Sequence, residues 1–171
     1  MADIEKLRKN LEDRGIRSSY FATAREAADY LDRQIDGTTV GIGGSMTVKA
    51  MGLYPRLSSH NRVVWHWEGG SLEEAAGTEV YLTSANGVAE TGELVNIDGN
   101  CNRIASSVYG HKRVYFVVGI NKIEPDYDRA LWRGWPPRRT PSAWAEKPPV
   151  RSKATVAMTA RARSGSAVDC R

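Results

Sequence analysis

The chain has 171 residues, 41% of them hydrophobic, which suffices for one domain with a buried core, and no apolar run approaches the roughly eighteen residues of a membrane helix. Two cysteines, Cys101 and Cys170, exclude a disulfide framework and a cysteine-rich metal cluster. The net charge of +4 comes from the segment after Arg133, with eight Lys/Arg against two Asp/Glu; residues 1–133 hold sixteen basic and eighteen acidic residues, so a phosphate-tracking surface and nucleic-acid binding are not expected of them.

Ile4, Leu7 and Leu11 recur at helical spacing in a charged N-terminus, and Gly15 is a natural stop. This is an amphipathic helix rather than a secretion signal, and a reducing cytoplasm is the expected location. Thr23 and Glu26 have the spacing of a capping box ahead of the stripe Ala27, Leu31 and Ile35. Thr38–Ile42 predicts a strand, Gly43-Gly44-Ser45 a turn, and Met46–Met51 a helix capped by Ser45. Arg62–Trp67 (RVVWHW) predicts another strand, with His66 facing away from Trp65 and Trp67 as a structural residue. Glu73–Ala76 is helical in character and Glu79–Leu82 extended.

The run SANGVAETGELVNIDGN (84–100) follows, rich in Gly, Asn and acids and without Lys or Arg. Glu90–Glu93 predicts a hairpin turn, Leu94–Ile97 a short return strand and Asp98–Asn100 a second turn. Arg103–Tyr109 then predicts a helix, Arg113–Ile120 the most apolar strand, and Asp126–Trp132 a last helix. Strands alternating with helices, and apolar without clean alternation, predict an α/β fold: three αβα layers around a mostly parallel sheet. From Gly134 onward there are five prolines and no Leu, Ile or Phe. Residues 134–171 are therefore expected to be disordered beside a 1–133 domain.

Two loops carry the chemistry. VGIGGSMT (40–47) is strand, glycine turn and helix start; the glycines admit close backbone approach, and the pattern is neither GxGxxG nor a phosphate loop. A tight turn with a serine cap accounts for it equally well. The second loop offers short polar groups beyond the strand ending at Leu82. Ligands of open α/β sheets collect at carboxyl strand ends. The predicted ligand-binding set is Gly43, Gly44, Ser45, Thr83, Ser84, Asn86, Asn96, Asp98, Asn102 and Arg103. Lys49 and Lys122 are further cations near these loops. Glu90, Glu93 and Asp98 are the weak catalytic candidates, Cys101 reads as an incidental thiol, and no metal or cofactor motif is evident.

The strings VGIGGSMT, VVWHW, VYLTSANGVAETGELVNIDGNCNRIAS and VYFVVGINKIEPD together resemble the LUD-domain family, lactate-utilisation proteins of the C-subunit type. The resemblance covers most of residues 20–130; Cys101 stands where the family more often has a small residue. It implies a fold similar to ribose-phosphate isomerases and coenzyme A transferases. It also implies a bacterial role in oxidising L-lactate to pyruvate beside iron–sulfur partner subunits, without defining a reaction for this subunit. The isomerase relatives have an Asp where this chain has Asn86, which cannot act as a general base. A stand-alone transferase-like or isomerase-like enzyme and a non-catalytic ligand-sensing or assembly module are the alternatives. Family members end on a cysteine-rich string that is missing here. Residues 134–171 can be reread one frame over, with permissible codons, as a string containing KTPC and DCKSPERIC, so the tail is expected to be out of frame.

Overall fold

The computed structural model describes residues 2–134 and, for backbone only, 155–161. Helix α1 (Ile4–Asp13) starts where the Asp3 carboxylate accepts from Lys6 N and buries Leu7 and Leu11. Strand β1 (Arg17–Phe21) follows, then α2 (Ala24–Gln34), opened by the reciprocal Thr23–Glu26 box. Strand β2 (Thr39–Ile42) leads into α3 (Met46–Ala50) and α4 (Leu53–Ser58). Next come β3 (Arg62–Trp65), α5 (Leu72–Ala76) and β4 (Val80–Thr83). The polar run supplies the hairpin β5 (Gly87–Ala89) and β6 (Leu94–Val95), and α6 (Asn102–Val108) leads to β7 (Arg113–Gly119). Strand β8 (Ile123–Glu124) and α7 (Tyr127–Gly134) complete this part.

The main sheet has the order β1, β9, β7, β4, β2, β3, where β9 (Thr155–Arg161) is antiparallel to both neighbours. Strands β7, β4, β2 and β3 are mutually parallel. One face is covered by α2, α3 and α4, whose Leu31, Val48, Leu53 and Leu57 pack with Val40, Ile42, Leu82 and Val117. On the other, Leu7 and Leu11 of α1 pack with Tyr81, Val114, Phe116 and Val118. The fold is thus α/β in three layers, with the small sheet β6, β5, β8 on the α1 side.

Four features depart from expectation. Strand β1 and helix α4 lack a readable signal, the first for want of an apolar run and the second because Gly52 and Pro55 interrupt the helical pattern. Strand β3 stops at Trp65, not Trp67: His66–Glu68 is a 3-10 turn, and Gly70 N returns to Trp65 O at 2.9 Å after Gly69 at φ 87°. The expected alternation of His66 against the tryptophans is lost with it, and the Trp65 and Trp67 rings instead pack tilted by 36° with centroids 5.0 Å apart. Thr155–Arg161 is a strand where disorder is expected. It is paired with β1 on one side and β7 on the other, and Val156, Met158 and Ala160 recur at strand spacing within it. The rest of the predicted tail beyond Gly134 lies outside the described residues.

Glu90 shows how α1 is held. Its buried carboxylate accepts from Asp3 N at 2.8 Å and from Lys6 Nζ at 3.3 Å, while its own carbonyl accepts from Asn10 Nδ2 at 2.7 Å. Glu93 pairs at 2.6 Å with Arg14, the residue that caps the end of the same helix. Replacing Glu90 by Ala is expected to cost about 2 kcal/mol in urea unfolding. Amide exchange should accelerate in α1 more than in β4 or β7.

Candidate functional site

The chain leaves β2 and β4 in opposite directions. Beyond β2 it turns to α3 on one face; beyond β4 it passes to β5 on the other. Two adjacent parallel strands whose connections diverge mark the strand-end crevice position at which open α/β sheets bind ligands.

Glycines line β2 on the α6 side of this crevice. An ideal Cβ at Gly43 would lie 2.7 Å from Tyr81 Oη, 3.0 Å from Thr83 Oγ1 and 3.2 Å from Arg103 Cγ. Gly43 N donates to Leu82 O at 2.9 Å, closing the turn onto β4. Gly44 faces the end of β3: its ideal Cβ would lie 3.6 Å from both His66 Cε1 and Trp67 Cζ2. Ser45 is buried and accepts from Val48 N at 3.2 Å, capping α3.

Arg103 joins the two loops. While its stem passes Gly43, its guanidinium donates to Ile97 O at 2.8 Å and reaches Asp98 Oδ1 at 3.5 Å. Asp98 accepts from Arg103 N at 2.7 Å and from Ile104 N and Asn100 N at 3.4 Å each. Burial pushes its carboxyl upward, but these N–H groups and the Arg103 charge hold it below the ordinary carboxylate value. Asp98 therefore acts as the anchor of the loop. Cys101 in the same loop is exposed and adopts φ 58°, a left-handed conformation that costs a non-glycine residue about 1–2 kcal/mol.

The other predicted ligand residues divide. Lys122 Nζ donates to Ser84 Oγ at 2.8 Å and to Ala85 O at 2.9 Å. Asn86 Oδ1 accepts from Ile97 N at 3.2 Å, so both side chains secure the loop. Asn102 is half-buried at the start of α6. Thr83 Oγ1 and Asn96 Oδ1 are buried without a hydrogen-bond partner, as are Trp65 Nε1 and His66 Nδ1. Glu90 and Glu93 engage α1.

His66 is legible in the sequence, but it belongs to the 3-10 turn after β3 rather than to the predicted strand. Tyr81 and His111 were not singled out at all. Their rings stack at 4.8 Å and 25°, with Tyr81 Oη beside Gly43 and bonded to Ser106. Burial raises the Tyr81 pKa above its ordinary value. Only the register of β2 on β4 puts Gly43 next to Thr83, and that register is invisible in the chain order. At the amino ends of the strands a cleft of about 530 Å³ is lined by Thr38, His60, Asn61 and Glu79. There the polar groups are already paired: His60 with Asp32 and Asp36, Glu79 with Lys112. The carboxyl-end crevice, with its orphaned groups, is the better candidate.

Among the described residues, no group of three or more His, Cys, Asp or Glu could hold a metal ion, and no helix is long and apolar enough to cross a membrane.

Fold and strand ends together define a three-layer α/β protein with a polar rim at the diverging ends of two central strands. The LUD domain model matches residues 4–149, most of the chain, running past Arg133. The chain belongs to the LUD-domain family, whose name refers to lactate utilisation. Comparison with curated proteins and with solved structures finds no match.

Gly43→Ala should be destabilising by about 1–3 kcal/mol, because a methyl there overpacks buried Tyr81 and Thr83. Gly44→Ala meets only ordinary contacts, so its melting temperature should stay near that of the parent. His111 gives a pH test. Burial lowers its pKa, opposed by its 2.7 Å contact with Thr78 O, so the unfolded chain takes up the proton more readily. Its stabilising contribution is complete above the ordinary histidine value of about 6.5 and is lost as pH falls toward the folded value. Between pH 7.5 and 5, the unfolding free energy of His111→Gln should therefore drop less than that of the parent.

Proposed function

We propose that this chain is a lactate-utilisation subunit that supports oxidation of L-lactate to pyruvate and binds a small anionic metabolite in the β2/β4 crevice. The family match supports the lactate assignment. The observation that carries the binding reading is the buried, unpartnered Thr83 hydroxyl, one position beyond the last paired residues of β2 and β4. A buried hydroxyl without a partner costs about 1–3 kcal/mol, a cost that an incoming acceptor relieves.

The surroundings fit a carboxylate. Thr83 Oγ1 can donate, and the stem of Arg103 lies beside the same glycine, bringing its charge to the rim. Lys122 sits at Ser84, the next residue along. Asn96 also has an unpartnered buried oxygen, suited to the hydroxyl of a 2-hydroxy acid. Glu90 and Glu93 are engaged in holding α1, and Asp98 in holding its own loop. These contacts favour binding over carboxylate acid–base catalysis. Iron–sulfur partner subunits, taken from the resemblance, would then receive the electrons of the oxidation.

The test combines thermal shift and calorimetry with L-lactate and pyruvate, on the parent and on Thr83→Val. The variant removes the orphaned hydroxyl at nearly constant shape, so its ligand-free stability should be unchanged or slightly higher. Its affinity for the acid should fall about tenfold. If neither acid shifts the parent's melting temperature, the crevice is not the site of these metabolites.

A further inference from the structure

The crevice continues into an exposed aromatic ledge. Trp67 is 40% exposed and Met46, the first residue of α3, 62% exposed. Lys49, three residues after Met46, holds its Nζ 5.6 Å from the Trp67 ring centroid. The indole is fixed from below: Trp65 packs on it at 5.0 Å and Tyr54 on Trp65 at 5.8 Å, with His66 at 5.6 Å from Trp67. Trp65 is almost fully buried, yet its Nε1 has no partner, and His66 Nδ1 is likewise buried and unpaired.

Gly44 connects this ledge to the binding rim. An ideal Cβ added at Gly44 would only just touch the indole and imidazole edges, at 3.6 Å, so the bare glycine leaves about a methyl's width between the turn and the ledge. Among the described residues Tyr20, Val108, Tyr109, Tyr127, Leu131 and Trp132 are also exposed, but the cation over a ring is found at Trp67. A half-exposed indole with a cation near its ring, beside two residues whose buried nitrogens lack partners, suits a flat, electron-rich ring attached to an anion.

We propose that the ligand carries a planar aromatic group lying against Trp67 and Met46, which makes its class an aryl-substituted 2-hydroxy or 2-oxo acid. This rests on the anion reading of the crevice and adds a subsite to it. The carboxylate lies at the strand-end rim beside Thr83 and Arg103, outside the close-packed Gly43 contact, and the ring extends past Gly44 onto the ledge. No covalent step is involved.

The experiment is calorimetric titration of the full chain with L-lactate and with L-3-phenyllactate, followed by indole fluorescence. Phenyllactate should bind at least about tenfold more tightly, as burial of a phenyl ring predicts, and should change the tryptophan emission where lactate does not. Trp67→Leu should shrink this preference to about threefold or less while leaving the lactate affinity intact. Met46→Ser, at an exposed position that does not endanger folding, should shift it in the same direction. Equal affinity for the two acids in the parent, or a preference that survives both substitutions, would overturn the ledge and leave the anion site standing. If neither acid binds, the anion reading and the ledge fail together.

Discussion

Tyr81 and Thr83 occupy the space that a side chain at residue 43 would need, with the stem of Arg103 close on the same side. This close packing of β2 on β4 sets the rest of the rim. It lets Gly43 close its turn onto Leu82 and directs the chain to α3 on one face. It also admits Arg103, whose guanidinium ties down the loop from Ile97 to Asp98. The same logic recurs one pleat lower: an ideal Cβ at Gly41 would lie 2.4 Å from Ala75 O, so α5 can rest on the strand only because that residue is glycine. Alternation then does two jobs in one short segment. Val40 and Ile42 enter the core, while Gly41 and Gly43 leave room on the opposite face.

The polar run of residues 84–100 is mostly engaged in supporting this arrangement. Ser84 holds Lys122, Asn86 holds Ile97 N, Glu90 holds the start of α1, and Asp98 caps the approach to α6. Among the described residues five buried side-chain atoms remain unpaired, and four of them belong to Trp65, His66, Thr83 and Asn96. The fifth, His111 Nε2, lies behind Tyr81, against which its ring stacks. Buried polar groups in folded proteins are nearly always paired. A concentration of exceptions at strand ends is therefore more informative than the acidity or glycine content of the loops. It also separates unpaired groups from scaffolding groups, a division that residue type alone does not make.

Much of this was legible in the chain. The Thr23–Glu26 box, the serine cap at Ser45, the hairpin turning at Gly92 and the apolar strand Arg113–Gly119 each follow from local chemistry acting over a few residues. So did the layered α/β class, because strands without polar alternation need cover on both faces. The family was likewise readable from short strings, and the domain match bears it out. Local patterns persist into the fold because caps and turns are satisfied by neighbours in sequence.

The tertiary structure alone decided which polar groups lack partners. Glu90 and Thr83 are both polar residues in or beside the same loop; one meets α1 from 84 to 87 positions away, the other meets no partner. The sequence contains no record of that difference, since it depends on strand register and on helices arriving from distant parts of the chain. It likewise determined that a glycine turn follows β2, but not that β4 would be its neighbour or that His66 would turn inward beside Gly44. Burial and pairing are properties of the packed ensemble of elements, and only packing could assign them.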